Sequence, residues 1–422
     1  MDLNPSLPTL LLGLFLCSLA VPGAAQRTWR VDAGGGAGSD YRTIAEAVAA
    51  ASQGDTIVVR SAGDILDVTI AKALTLVSES ATPVTLTAGL TITGIPGGRR
   101  MVVKGFVLRP SGPYYQGGRP IVCRGSAGTI HLERIQNGGS MDGPALRVEE
   151  CAQVTVGESQ LDAGATYYGW FGGMRFTGAG PGITCRNSAL LLVRTRARGL
   201  ATVQGAAGGV WYGPWGGLIA EGSRVVVAES EVAGGAGACL LAGTFCFPTT
   251  WPTPAIEARG SRLVLAGAGT HYLGGGIVGF GCTTCGAPAQ GVNADGATTI
   301  LRDPASTGTI AGGQVTTQPV AAMVASGAGP GGTASCTLHW PQSAPCATLV
   351  SFPGGPMPID PIGIWLDPAM AILIDVGTVA GSRTTQVPIP PFFPIGLPAA
   401  FQSVVLVQGA LVLSTPATTV LW

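Results

Sequence analysis

The sequence is short of charge: Asp, Glu, Lys and Arg make up only 11% of it, and 23 basic side chains balance 23 acidic ones. A phosphate backbone needs a dense cationic footprint, so nucleic acid is not an expected partner. Histidine is scarcer still. His131, His271 and His339 are the only three, which leaves few side chains that titrate near neutral pH.

Long hydrophobic runs are also missing, except near the N-terminus. Leu10 to Ala20 is apolar, and the small residues Gly23, Ala24 and Ala25 follow. This run falls short of the ~20 residues of a spanning helix. It reads as a signal peptide over residues 1–25, cleaved after Ala25. The first nine residues are atypical, with Asp2 and no Lys or Arg, so an uncleaved anchor is the alternative. The mature chain is expected outside the cell or on its surface, with no further membrane span.

Ten cysteines are present, and loss of Cys17 with the leader leaves an odd number in an oxidising compartment. The pairs Cys239 with Cys246, Cys282 with Cys285 and Cys336 with Cys346 are close in sequence and are expected as local disulfides. Cys123, Cys151 and Cys185 lie in strand phrases and are expected as buried thiols. Cys282-Thr-Thr-Cys285 also has the spacing of a zinc half-site or redox pair, but no second pair or His cluster completes it. No metal site is expected.

Glycine and proline are abundant, at 66 and 31 residues. Regular apolar phrases run between them, which indicates ordered turns rather than low complexity. Five phrases form an internal repeat, beginning at Leu146, Ile183, Leu218, Ile256 and Val292 and spaced 37, 35, 38 and 36 residues apart. An earlier copy begins at Ile121. Each unit reads as a strand, a Gly/Asn/Ser turn and a second strand. One unit cannot bury its own apolar face, but coils stacked ~4.8 Å apart bury theirs together. The first and third positions of each phrase then point inward, which stacks Cys185 near Val148 and Ala220.

Two ordinary sheets packed as a sandwich would not predict this repeat. The expected fold is therefore all-β, a right-handed parallel β-helix (a single-stranded solenoid) over residues 26–307, with a closing coil or linker over 308–333. From Ala334 the composition shifts to short strands between Pro/Gly turns, predicting a small β-sandwich over 334–422.

At the N-terminus, Val31–Gly36, Asp40–Ile44 and Gly54–Val59 read as strand, short helix and strand. Thr43 and Glu46 have capping-box spacing, and Ile44, Val48 and Ala51 share a face. Such a helix is expected to cap the first coil, protecting its open edge. This segment of about 30 residues resembles the entry to pectin-lyase-like β-helix proteins, which include pectin methylesterases and many bacterial carbohydrate-active proteins. The C-terminal part resembles modules found on large secreted bacterial β-helix proteins.

The resemblance implies a fold and a choice of carbohydrate chemistries. Lyases of this kind use calcium-binding carboxylates with a Lys or Arg base. No close trio of outward Asp or Glu is visible, so calcium is expected only if the protein is a lyase. The hydrolases need carboxylates about 5–9 Å apart. Glu133 and Glu158 are the candidates, outside any Asn-Thr-Asp, Asp-Asp or Gly-His-Gly context, and the methylesterase pattern of Asp, Asp and Arg is absent. His131, beside Glu133 on a predicted outward face, is the remaining candidate for proton transfer.

Aromatics are few, at 6%, but they cluster between the repeat cores. Tyr114 and Tyr115, then Tyr167, Tyr168, Trp170 and Phe171, then Trp211, Tyr212 and Trp215, then Phe245, Phe247 and Trp251 follow corresponding points of successive coils. Stacked along one side they would form an aromatic wall, and aromatic faces stack on the C–H faces of sugars. The candidate ligand is a polysaccharide or cell-surface glycan; the alternative is a hydrophobic cluster under long loops. Arg194 and Arg196 lie at the same repeat positions as Glu229 and Glu231, predicting cross-strand ion pairs.

Three readings of function follow. One is a non-catalytic binding or structural module, the second a polysaccharide lyase or glycoside hydrolase, the third an adhesion or surface-layer component.

Overall fold

The repeat phrases pair with one another in parallel, in the register their alignment predicts. Leu146–Glu149 lies between Ile121–Arg124 and Ile183–Arg186, with Leu146 opposite Ile121 and Ile183. Leu218–Glu221, Ile256–Arg259 and Val292–Arg302 continue the series. Cys185 accordingly sits between Val148 and Ala220. These strands belong to a 24-stranded parallel sheet that runs through Ile310–Thr317. The architecture is all-β and compatible with a β-helix.

The computed structural model describes residues 26–421 apart from 65, 80–81, 110–119, 139–142, 164, 171–172, 201–214, 243–244, 281–286, 358–361 and 394–395. The expected leader, 1–25, lies outside the described residues. Among those described, no helix is long and apolar enough to cross a membrane.

Alternation along the second strand of each unit builds the interior. Val154, Leu190, Val225, Leu263 and Ile300 stack in register from coil to coil, each at most 1% exposed. The turns are held by repeated chemistry. Gly125, Glu150, Asn187, Gly222 and Gly260 are left-handed, with φ between 46° and 56°, and the next position carries Ser126, Cys151, Ser188, Ser223 and Ser261. The hydroxyls form a ladder: the Cys151 N–H donates to Ser188 Oγ, the Ser188 N–H to Ser223 Oγ, and the Ser223 N–H to Ser261 Oγ, at 2.9, 3.3 and 3.1 Å. Each turn thus satisfies the amide that leaves the strand ladder.

The helix predicted from the capping box is present at Ile44–Ala50, with both reciprocal Thr43 and Glu46 bonds made. Its Ile44, Ala47 and Val48 join the same core as Ile57 and Val59.

From Ala322–Ser326 onward the chain switches to an antiparallel six-stranded sheet. Its longest ladder, Thr333–Ser351 against Ile372–Pro388, is interrupted between Trp340 and Ala344. There it bends back on itself. Asp375 bonds to Arg383 at 2.6 Å and to Thr385 at 2.8 Å on the same strand, although a straight strand would hold residues ten apart ~33 Å from each other.

One expectation is corrected here: Cys336 and Cys346 form no disulfide and are buried free thiols. They lie ten residues apart on one strand, ~33 Å if it ran straight, and the bend that brings its limbs back does not bring the two sulfurs into bonding contact. Burial pushes the Cys336 thiol up to about 12. Cys123, Cys151 and Cys185 are buried thiols, as expected.

The C-terminal unit lies against the outer side of the coils. Leu191, Val226, Val264 and Leu301 point away from the coil interior and are buried with Val320, Ile362 and Trp365.

Candidate functional site

Insertions leave successive coils at one corner, and their roots are bonded to each other. The Trp215 N–H donates to Leu200 O, Gly235 to Trp215 O, Thr253 to Gly235 O, Gly275 to Thr253 O, and Ala289 to Gly275 O, all at 2.9–3.1 Å. Glycine permits this crowding: a Cβ on Gly199 would run into the Trp215 carbonyl, and one on Gly234 into that of Thr253.

Beyond the roots the insertions extend as strands. Ala165–Trp170 forms a hairpin with Gly173–Ala179, and Gly237–Ala242 forms one with Phe245–Thr250. Ile277–Phe280 from the next insertion adds in parallel to Gly237–Ala242. Among the described residues, the insertions around Gly237–Ala242 and Ile277–Phe280 therefore stand as neighbouring arms. Trp215 is 43% exposed and Trp251 67% exposed, each a few residues before the next repeat phrase.

Tyr167, Tyr168 and Trp170 are on the strand Ala165–Trp170, with their side chains outside the described residues. Tyr114, Tyr115, Trp211 and Tyr212 lie outside the described residues, as do Cys282 and Cys285. Cys239 and Cys246 are on facing strands but out of register, Cys239 opposite Pro248 and Cys246 opposite Leu241; their side chains are likewise outside the description.

Between the arms and the C-terminal unit runs a third set of short strands. Gln160, Arg196, Glu231, His271 and Thr307 stack across it, with Asp162 and Arg198 two positions on. Arg196 is opposite Glu231 as its repeat position predicts, but its ion pair turns back to Asp162 at 2.7 Å, and Arg198 takes Glu231 at 2.7 Å. Glu229 instead accepts the Gly269 N–H at 2.9 Å. Gln136, Glu158, Ser159, Gln160, Arg194 and Arg196 line a shallow recess here.

Glu158 occupies a left-handed turn at φ 48°, and Arg134, Arg194 and Glu229 occupy the same conformation. Its carboxylate bonds to Arg134 at 3.1 Å and also to Arg194, which donates to Ala325 O of the C-terminal unit. This carboxylate is a rung in a ladder of alternating charge.

His131 and Glu133 are not at a surface, which corrects the outward-facing expectation. They do point away from the coil interior, but the C-terminal unit covers them, leaving 3% and 2% exposure. Glu133 pairs with Lys104 at 2.8 Å and His131 at 3.1 Å, and accepts the Val420 N–H at 2.7 Å. Lys104 Nζ donates to Val420 O at 3.0 Å. Burial alone would raise the Glu133 carboxyl. The His131 hydrogen bond and the Lys104 ammonium outweigh it and hold the group below its ordinary range. Sealed in this way, Glu133 lines no cleft with Glu158.

The cover left a trace in the sequence. Ala189–Val193, Arg224–Ala228 and Arg262–Ala266 read ALLLV, RVVVA and RLVLA, apolar at both alternations, as strands covered on both faces are. Among the described residues, no three His, Cys, Asp or Glu are grouped to hold a metal ion.

No protein-family model matches the chain, and no curated protein matches it, so the functional reading rests on this geometry.

Proposed function

We propose that this is a secreted or cell-surface protein that binds a polysaccharide along its row of arms without cleaving it. In this reading the parallel coils form a right-handed β-helix, the helix Ile44–Ala50 caps its first coil, and the bent C-terminal ladder is a β-sandwich. The carrying observation is the exposure of Trp215 and Trp251 beside the bonded roots of successive insertions. A bare indole face is costly in water and matches the apolar face of a sugar ring. A binding role is favoured over catalysis because Glu133 is sealed and Glu158 is held by two arginines.

The test is retention and turnover of the protein from Gln26 onward on acidic and neutral polysaccharides, with and without calcium. Retention that falls at least tenfold in Trp215→Ala and Trp251→Ala, with no new reducing or unsaturated ends, supports the reading. Chain cleavage overturns it in favour of a lyase or hydrolase, and neither retention nor cleavage leaves an adhesion or surface-layer role.

A further inference from the structure

We infer that the far end of the coil stack is a self-association surface, and that a second copy of this chain covers it tail to tail. The interior row through Val154, Leu190, Val225, Leu263 and Ile300 ends at Val315, its register neighbour on the last coil. The first five are at most 1% exposed, whereas Val315 is 44% exposed. None of the eight residues of Ile310–Thr317 is buried. Among the described strands this one pairs only with Val292–Arg302, so its outer row of N–H and C=O groups is open.

Natural proteins blunt such edges with charged side chains or proline. The segment Ile-Ala-Gly-Gly-Gln-Val-Thr-Thr has neither. At the other end of the stack the chain supplies its own cover, since Ile44, Ala47 and Val48 of the helix pack into the core beside the first coil. The C-terminal unit does not serve at the far end, because its apolar contacts are with the side of the coils, at Leu191, Val226, Val264 and Leu301.

A second copy fits this edge by its chemistry. Two such strands related by a two-fold axis run antiparallel, pair their open backbones, and bring each Val315 onto the partner's exposed interior. The contact is isologous, and with no charge on either strand it meets no like-charge repulsion. Because the helix closes the opposite end, association stops at two chains instead of propagating as a filament.

Light scattering on the protein from Gln26 onward, over a concentration series to about 100 μM, tests this. A concentration-dependent rise to twice the chain mass is expected, with amide exchange in Ile310–Thr317 slowing as the dimer forms. Val315→Lys and, separately, Thr316→Pro should each weaken the dimer at least tenfold with the far-ultraviolet spectrum unchanged. Leu411→Lys, on the exposed face of the C-terminal sheet, should leave it intact. A monomer throughout the series, a dimer that survives both edge variants, a dimer lost in Leu411→Lys, or growth into filaments would each overturn the inference.

Discussion

Lys104 and Glu133 stand side by side on neighbouring coils and grip the two backbone groups of one distant residue. Glu133 accepts the Val420 N–H, Lys104 donates to the Val420 carbonyl, and the two charges pair at 2.8 Å. The C-terminal unit is thus fastened to the coils by a buried polar clamp.

Breaking a buried pair from one side strands the other charge, at a cost of about 3–5 kcal/mol. Lys104→Met is therefore expected to loosen the C-terminal strand more than it disturbs the coils. Hydrogen exchange should show Ala417–Val420 losing protection while the amides of Ala189–Val193 keep theirs.

The clamp is also expected to be acid-labile. Glu133 titrates below its ordinary 4.5 in the folded chain, so its stabilisation is complete above that value and is lost as pH falls through the folded one. The stability difference between the native chain and Glu133→Gln should shrink as pH falls below about 4.5. A difference that grows on acidification would contradict this assignment.

Leu190 points into the coil and Leu191 out of it, yet both are fully buried. Truncating either to Ala should cost about 2–5 kcal/mol. If the outer face were bare, Leu191→Ala would stay within ~0.5 kcal/mol. Denaturant melts of the two variants separate these cases.

Ser223 accepts from Ser188 and donates to the Cys185 carbonyl at 3.1 Å, inside the hydroxyl ladder. Ser223→Ala leaves a buried N–H without its partner, at about 1–3 kcal/mol. Ser223→Thr, which retains the hydroxyl, should recover most of the loss in thermal melts.

Cys336 and Cys346 are expected to label with a thiol reagent only after unfolding, and without prior reduction. Two added labels on these positions in denaturant, and none in the native chain, would be the signature; a mass two daltons low and no labelling would restore the disulfide.

Much of the coil was legible in local order. Leu146, Ile183 and Leu218 align because each phrase must present the same alternation to the same interior, and Thr43 with Glu46 announces a helix start through bonds three residues apart. Such features depend on near neighbours and on one period, so a linear reading reaches them. The exposure of His131 and Glu133, and the separation of Cys336 from Cys346, depend instead on segments far away in the chain. Glu133 is sealed by a residue 287 positions later, and the two thiols lie on the two limbs of a ladder whose bend shows in Asp375 meeting Arg383. Alternation tells which way a side chain points, but only the packing of distant segments decides whether water or protein waits there.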